Sequence, residues 1–133
     1  MPANVEAAFK EGAACLSIQC YNAAGTMFRL CLDLATNPLL PDPQAAGPQP
    51  NPRQRRDLGL RIPWLLDNGH LPAALRELSH AVREDGNNGA HAGTLTKADA
   101  EDLLDFSVRL LERLYTEQKE LQLAAERRAQ RRR

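Results

Sequence analysis

The side chains best suited to chemistry lie in one polar run, Val82-Arg83-Glu84-Asp85-Gly86-Asn87-Asn88-Gly89-Ala90-His91-Ala92-Gly93. The run combines a cation, glycines, asparagines and a histidine. A histidine, whose ordinary pKa is about 6.5, can take and return a proton near neutral pH. A guanidinium clamps phosphate oxygens through paired hydrogen bonds and offsets the charge that develops on phosphorus. The same run also reads as a turn. Gly86 and Gly89 permit a tight reversal, and Asn87 and Asn88 tolerate left-handed backbone. Arg83 then caps the last carbonyls of the helix it ends, and His91 hydrogen-bonds the backbone to lock the bend.

A second candidate is electrostatic. Residues 127–133 hold Arg127, Arg128, Arg131, Arg132 and Arg133. Without those five, twelve basic residues face seventeen acidic ones, a net charge of −5 on the remainder. This is an acidic body with a basic helical end, not a uniformly basic nucleic-acid binder. Phosphate contacts by these arginines would make binding salt-dependent, whereas a solvated helix end would bind nothing. A metal centre is not expected, because His70 and His80 have no cysteine or carboxylate at ligand spacing. With no glycine-rich phosphate loop and no Ser-His-Asp order, no cofactor is expected either. Cys15, Cys20 and Cys31 contain no Cys-x-x-Cys pair. They are read as reduced, mostly buried small hydrophobes.

The elements that must position these groups are helical. The chain has 133 residues, enough for one domain with its own core. Ala and Leu dominate its hydrophobic fraction, and aromatics are 5%. A first helix is predicted from about Asn4 to Leu16, weakened by Gly12. A second runs from about Gln19 to Thr36, with Cys20, Ala24, Met27, Cys31 and Leu34 at steps of four and three. Six prolines between 37 and 52 then forbid helix, which places a long proline-rich loop over 37–54. A third helix is predicted from about Arg55 to Asn68, bent or restarted at Pro63 and ended by Gly69. A fourth begins near Pro72 and ends at Gly86, with Leu71, Leu75, Leu78 and Val82 on one face. The last starts at a capping box, Thr96 to Asp99, and keeps its period to about Leu121. Residues 1–122 thus form an all-α, antiparallel bundle of four to five helices, and 123–133 a basic helical tail.

Three segments resemble a family of uncharacterised bacterial domains often attached to restriction and other defence proteins, the domain of unknown function 4145 family of the HEPN-like superfamily. They are Arg83-x-x-Gly86-Asn87-x-x-Ala90-His91, the Ala-rich Tyr21–Arg29 with its terminal arginine, and the leucine-rich Leu58–Gly69. In order and spacing they cover roughly residues 5–115. The resemblance implies a HEPN-like bundle and a homodimer built around the long helices and the 83–91 run. Many such domains are metal-independent RNases whose arginine and histidine meet across a dimer, so the resemblance implies His91 as the acid–base group, Arg83 as the phosphate clamp and Asn87 as a polar orienter. Here seven residues separate Arg83 from His91, against four to six in that motif, and Glu84 and Asp85 adjoin the arginine. The expectation is therefore a non-catalytic dimerisation and interaction module from a larger defence or restriction-type protein acting near nucleic acid. The alternative is an RNase using Arg83 and His91, with RNA as partner. Met1–Glu6 carry no basic stretch followed by an apolar run, and no segment has the roughly 18 apolar residues of a membrane span, so a cytoplasmic protein with no membrane partner is expected.

Overall fold

The computed structural model describes residues 1–82 and 94–132, and among them all regular structure is helical. Helix α1 spans Ala3–Ser17 and α2 spans Tyr21–Thr36. A 3₁₀ turn, Asn37–Leu39, leads into an irregular stretch. Then come α3, Pro52–Arg56, and α4, Leu58–Asp67. A second 3₁₀ turn covers Ala73–Leu75. Helix α5, Lys97–Leu111, continues through a π-helical turn, Glu112–Thr116, into α6, Glu117–Arg131.

Helix α2 is the keel, packing on both α1 and α5. Its Ala24, Phe28, Cys31, Leu32 and Ala35 are wholly buried or nearly so, against Val5 and Ala8 of α1 and Leu103, Phe106 and Leu110 of α5. Gly12, which weakens α1 as a helix, has a packing reason. A Cβ there would stand 2.7 Å from the Phe28 ring, so the missing side chain lets α1 settle against α2.

The α1–α2 corner closes on two backbone bonds, Gln19 N–H to Leu16 O and Cys20 N–H to Cys15 O. That pattern requires a left-handed residue, and Gln19 supplies it at φ +64°. A side chain in that region is strained where glycine is not. Gln19→Gly is expected to raise stability by about 0.5–1 kcal/mol in urea unfolding, the relief of strain outweighing glycine's extra chain entropy. No gain would mean that the corner carries no strain. The end of α4 uses the same device with the glycine already in place. Gly69 sits at φ +77°, and the His70 and Gly69 N–H groups return to Leu65 O and Leu66 O.

Two predicted helices need correction. The single helix over 55–68 is two. Asn51 and Gln54 form a reciprocal capping box, so α3 starts at Pro52, ahead of the predicted Arg55. Asp57 is extended (φ −97°, ψ 116°) and its carboxylate caps Gly59 N–H at 2.9 Å, which restarts the chain as α4. Pro63 lies inside α4 without ending it. The helix predicted from Pro72 is, in its described part, a 3₁₀ turn followed by successive turns, and the chain is helical again over 80–82. Arg76, His80, Ala81 and Val82 each donate three residues back, and the Ser79 hydroxyl competes for the Arg76 carbonyl. Of the predicted face, Leu71, Leu75 and Val82 are nonetheless buried and Leu78 is half-buried. The capping box at α5 is as read: Thr96 Oγ1 accepts from Asp99 N–H, and Asp99 Oδ2 accepts from Thr96 N–H.

The irregular residues between Leu40 and Asn51 are tied by two side chains. Gln49 donates to the Asp42 and Ala45 carbonyls, and Arg55 donates to the Pro41 carbonyl and to Gln49 Oε1.

Candidate functional site

The polar run named first from sequence falls largely outside the described residues. Arg83, Gly86, Asn87, Asn88, Gly89 and His91 all lie there, as does Arg133. Its two flanks are described, and both are fixed to α2. Upstream, the Val82 carbonyl accepts a hydrogen bond from Arg29 Nη1 at 2.9 Å. Downstream, the Leu95 N–H donates to Asn22 Oδ1 at 2.8 Å. Between them stands Gly25, where a Cβ would lie 2.2 Å from Leu95 Cδ1. Residues 22, 25 and 29 recur at steps of three and four, so they form one stripe. Asn22 and Arg29 are about 10 Å apart along the helix axis. Thus the Tyr21–Arg29 segment, noted in the sequence for its alanines and terminal arginine, is the base on which both flanks of the polar run are seated.

Beneath this base lies a cluster of charges, of which Arg61 is buried and Arg29 and Asp33 are half-buried. Burial pulls the Arg29 guanidinium below its ordinary pKa, against the opposing effect of Asp57 and Asp33. Arg61 is buried at 3% exposure yet fully engaged. Its Nη1 donates to Asp33 Oδ1 at 2.7 Å, to the Asp33 carbonyl and to Thr36 Oγ1, while Nε and Nη2 donate to the Arg55 carbonyl. This one side chain ties α2 to the α3–α4 junction. Sequence reasoning missed it by treating the inner face of α4 as Leu58, Ile62, Leu65 and Leu66. The signal was available, since Leu58, Arg61, Ile62 and Leu65 lie on one stripe at steps of three, one and three. A charge in such a stripe must find partners inside.

The cysteines divide. Cys31 is buried, Cys15 half-buried and Cys20 exposed, so the reading of all three as mostly buried fails for Cys20, which sits at the α1–α2 corner. All three are free thiols. Burial pushes the Cys31 thiol up to about 11. The thiolate is the reactive form, so at pH 8 an alkylating reagent is expected to label Cys20 quickly and Cys31 only on unfolding, read by peptide mass spectrometry. The sign of the linked pH effect follows. Between the ordinary 9.0 and about 11 the unfolded chain has lost this proton while the folded chain keeps it, so stability falls as pH rises through that window. Rapid native labelling of Cys31 would contradict its burial.

Among the described residues no group of three His, Cys, Asp or Glu side chains is placed to hold a metal ion. His70 instead stacks on Trp64, with ring centroids 5.3 Å apart. No described helix is long and apolar enough to cross a membrane. Arg127, Arg128, Arg131 and Arg132 are exposed along and just beyond the second half of α6.

These features define an all-helical domain organised on α2. A family model described as a domain of unknown function, DUF4145, matches residues 10–132, and the chain belongs to that family. Searches of curated proteins and of solved structures returned no match.

Proposed function

We propose that this chain is a non-catalytic helical interaction module of the HEPN-like kind, with a proline-rich loop, which works by homodimerisation and docking, in the setting of a defence or restriction-type protein acting near nucleic acid. The observation that carries this reading is α6. From Gln118 to Arg132 every residue is exposed, so the helix leaves the bundle and offers its whole circumference. Support also comes from how the conspicuous polar groups are used. Arg29, Asn22 and Arg61 are spent on carbonyls, an amide and one carboxylate of the chain itself.

The competing reading is a metal-independent RNase using Arg83 and His91. Labelled single-stranded RNA incubated with the purified chain in EDTA separates the two. The module reading expects intact RNA, with His91→Ala and Arg83→Ala changing nothing in that assay. Cleavage by the wild type that is lost in both variants would overturn it.

A further inference from the structure

Helix α6 is amphipathic in charge along its length, and the pattern specifies a partner. It is about 22 Å long, and an isolated helix of its size is marginal in water. Glu117 and Glu120 lie in its first turn, and Arg127, Arg128 and Arg131 in its second half. At about 100° per residue those five side chains share one flank, which begins beside Leu121. Leu121 itself is 71% exposed. Glu117 reaches back to Arg113 at 3.1 Å. Glu120, Arg127, Arg128 and Arg131, by contrast, have no opposite charge three or four residues away. The spacing therefore does not serve pairing within the helix. Acidic residues in a first turn and cations in a last turn do suit the helix dipole, but that effect is confined to the end turns and does not account for Arg127.

We infer that α6 pairs antiparallel with α6 of a second copy of this chain. This rests on the association reading above and names its surface. In a two-fold pair residue i meets j and j meets i, so each helix turns the same flank to its mate. Centred on Ala124, that arrangement sets Glu117 against Arg131 of the second copy and Glu120 against its Arg128. Each contact is made twice. A parallel pair in register would instead bring acidic turn to acidic turn and arginines to arginines. Charged flanks of this sort set the partner and its orientation in paired helices. A groove of about 390 Å³ lies at the root of α6, walled in part by His70, Pro72, Arg113, Leu114, Glu117 and Leu121. The arginine end of the second copy arrives at this level, beside Glu117.

The test uses the full chain in sedimentation velocity across a concentration series. The wild type forms a dimer that weakens as salt is raised. Glu117→Arg with Glu120→Arg, and separately Arg128→Glu with Arg131→Glu, each raise the dissociation constant about tenfold or more. The fourfold exchange restores the dimer, and an equimolar mixture of the two double variants forms a heterodimer. Far-UV circular dichroism checks that each variant keeps its helix content. A wild type that stays monomeric overturns the pairing, as does a fourfold exchange that restores nothing. If the wild type is a monomer and the Arg128/Arg131 variant loses binding to labelled RNA, the arginines serve a polyanion and the pairing is wrong. A wild-type dimer unmoved by every charge variant overturns the α6 interface and leaves association standing. RNA cleavage in the assay above overturns the non-catalytic reading whatever the oligomeric state.

Discussion

Replacing Arg61 with alanine is expected to cost about 3–5 kcal/mol of stability, measured as a lower urea midpoint with an unchanged slope. The side chain is 4% exposed, and no solvent waits to replace it. Its removal strands the Arg55 carbonyl, and a buried acceptor left without a donor costs about 1–3 kcal/mol, whereas the Asp33 carbonyl keeps its bond from the Asn37 N–H. The Asp33 carboxylate is 45% exposed, so it can recover some hydration, which keeps the loss below that of two stranded charges. Lysine should recover part of the loss, since an ammonium keeps the charge but cannot address Asp33 and Arg55 with one planar fork. Asp33→Asn should be milder still, because its amide oxygen can accept the same bond. If Arg61→Ala lowered stability by less than about 1 kcal/mol, the tie between α2 and the α3–α4 junction would be incidental.

The second large effect is expected at the α1–α2 contact. Phe28→Ala should lose about 3–5 kcal/mol, the usual cost of emptying a buried aromatic site. Its neighbour shows how the two helices are matched. Gly12→Ala alone gains about 1 kcal/mol of helix propensity. It also drives a methyl to 2.7 Å from a ring that is wholly buried and cannot swing away. Overpacking of this kind costs about 1–3 kcal/mol, so the net change should be destabilising. In a Phe28→Ala background the clash disappears and the same Gly12→Ala change should stabilise. This reversal of sign in a double-mutant cycle is the diagnostic result. Additive effects would mean that Gly12 does not set the approach of α1 to α2.

The fold was legible where one residue type had one physical consequence. Gly69 could end α4 because only glycine enters the left-handed region without strain, and the Thr96–Asp99 pair could start α5 because both halves of a capping box are local. The errors fell where a choice depended on context. Asp57 interrupts the 55–68 segment although neither proline nor glycine stands there, because its carboxylate finds Gly59 N–H and begins a new helix. Residues 72–82 keep a helical spacing of leucines, yet a 3₁₀ turn can bury the same side chains. Gln19 takes a conformation that its residue type disfavours, and nothing local announces it. For the candidate site, the sequence pointed to the middle of the polar run, while the structure explains its flanks. Asn22, Gly25 and Arg29 act across more than fifty residues, from α2 to Val82 and Leu95, a separation that periodicity cannot see.

The exposed α6 helix, on which the association reading stands, can be tested by amide hydrogen exchange over residues 118–131 in the full chain at increasing protein concentration. The account predicts slow exchange that grows slower with concentration, because pairing holds a helix that alone would fray. Exchange at the unprotected rate in these amides, the same in dilute and concentrated samples, would contradict it.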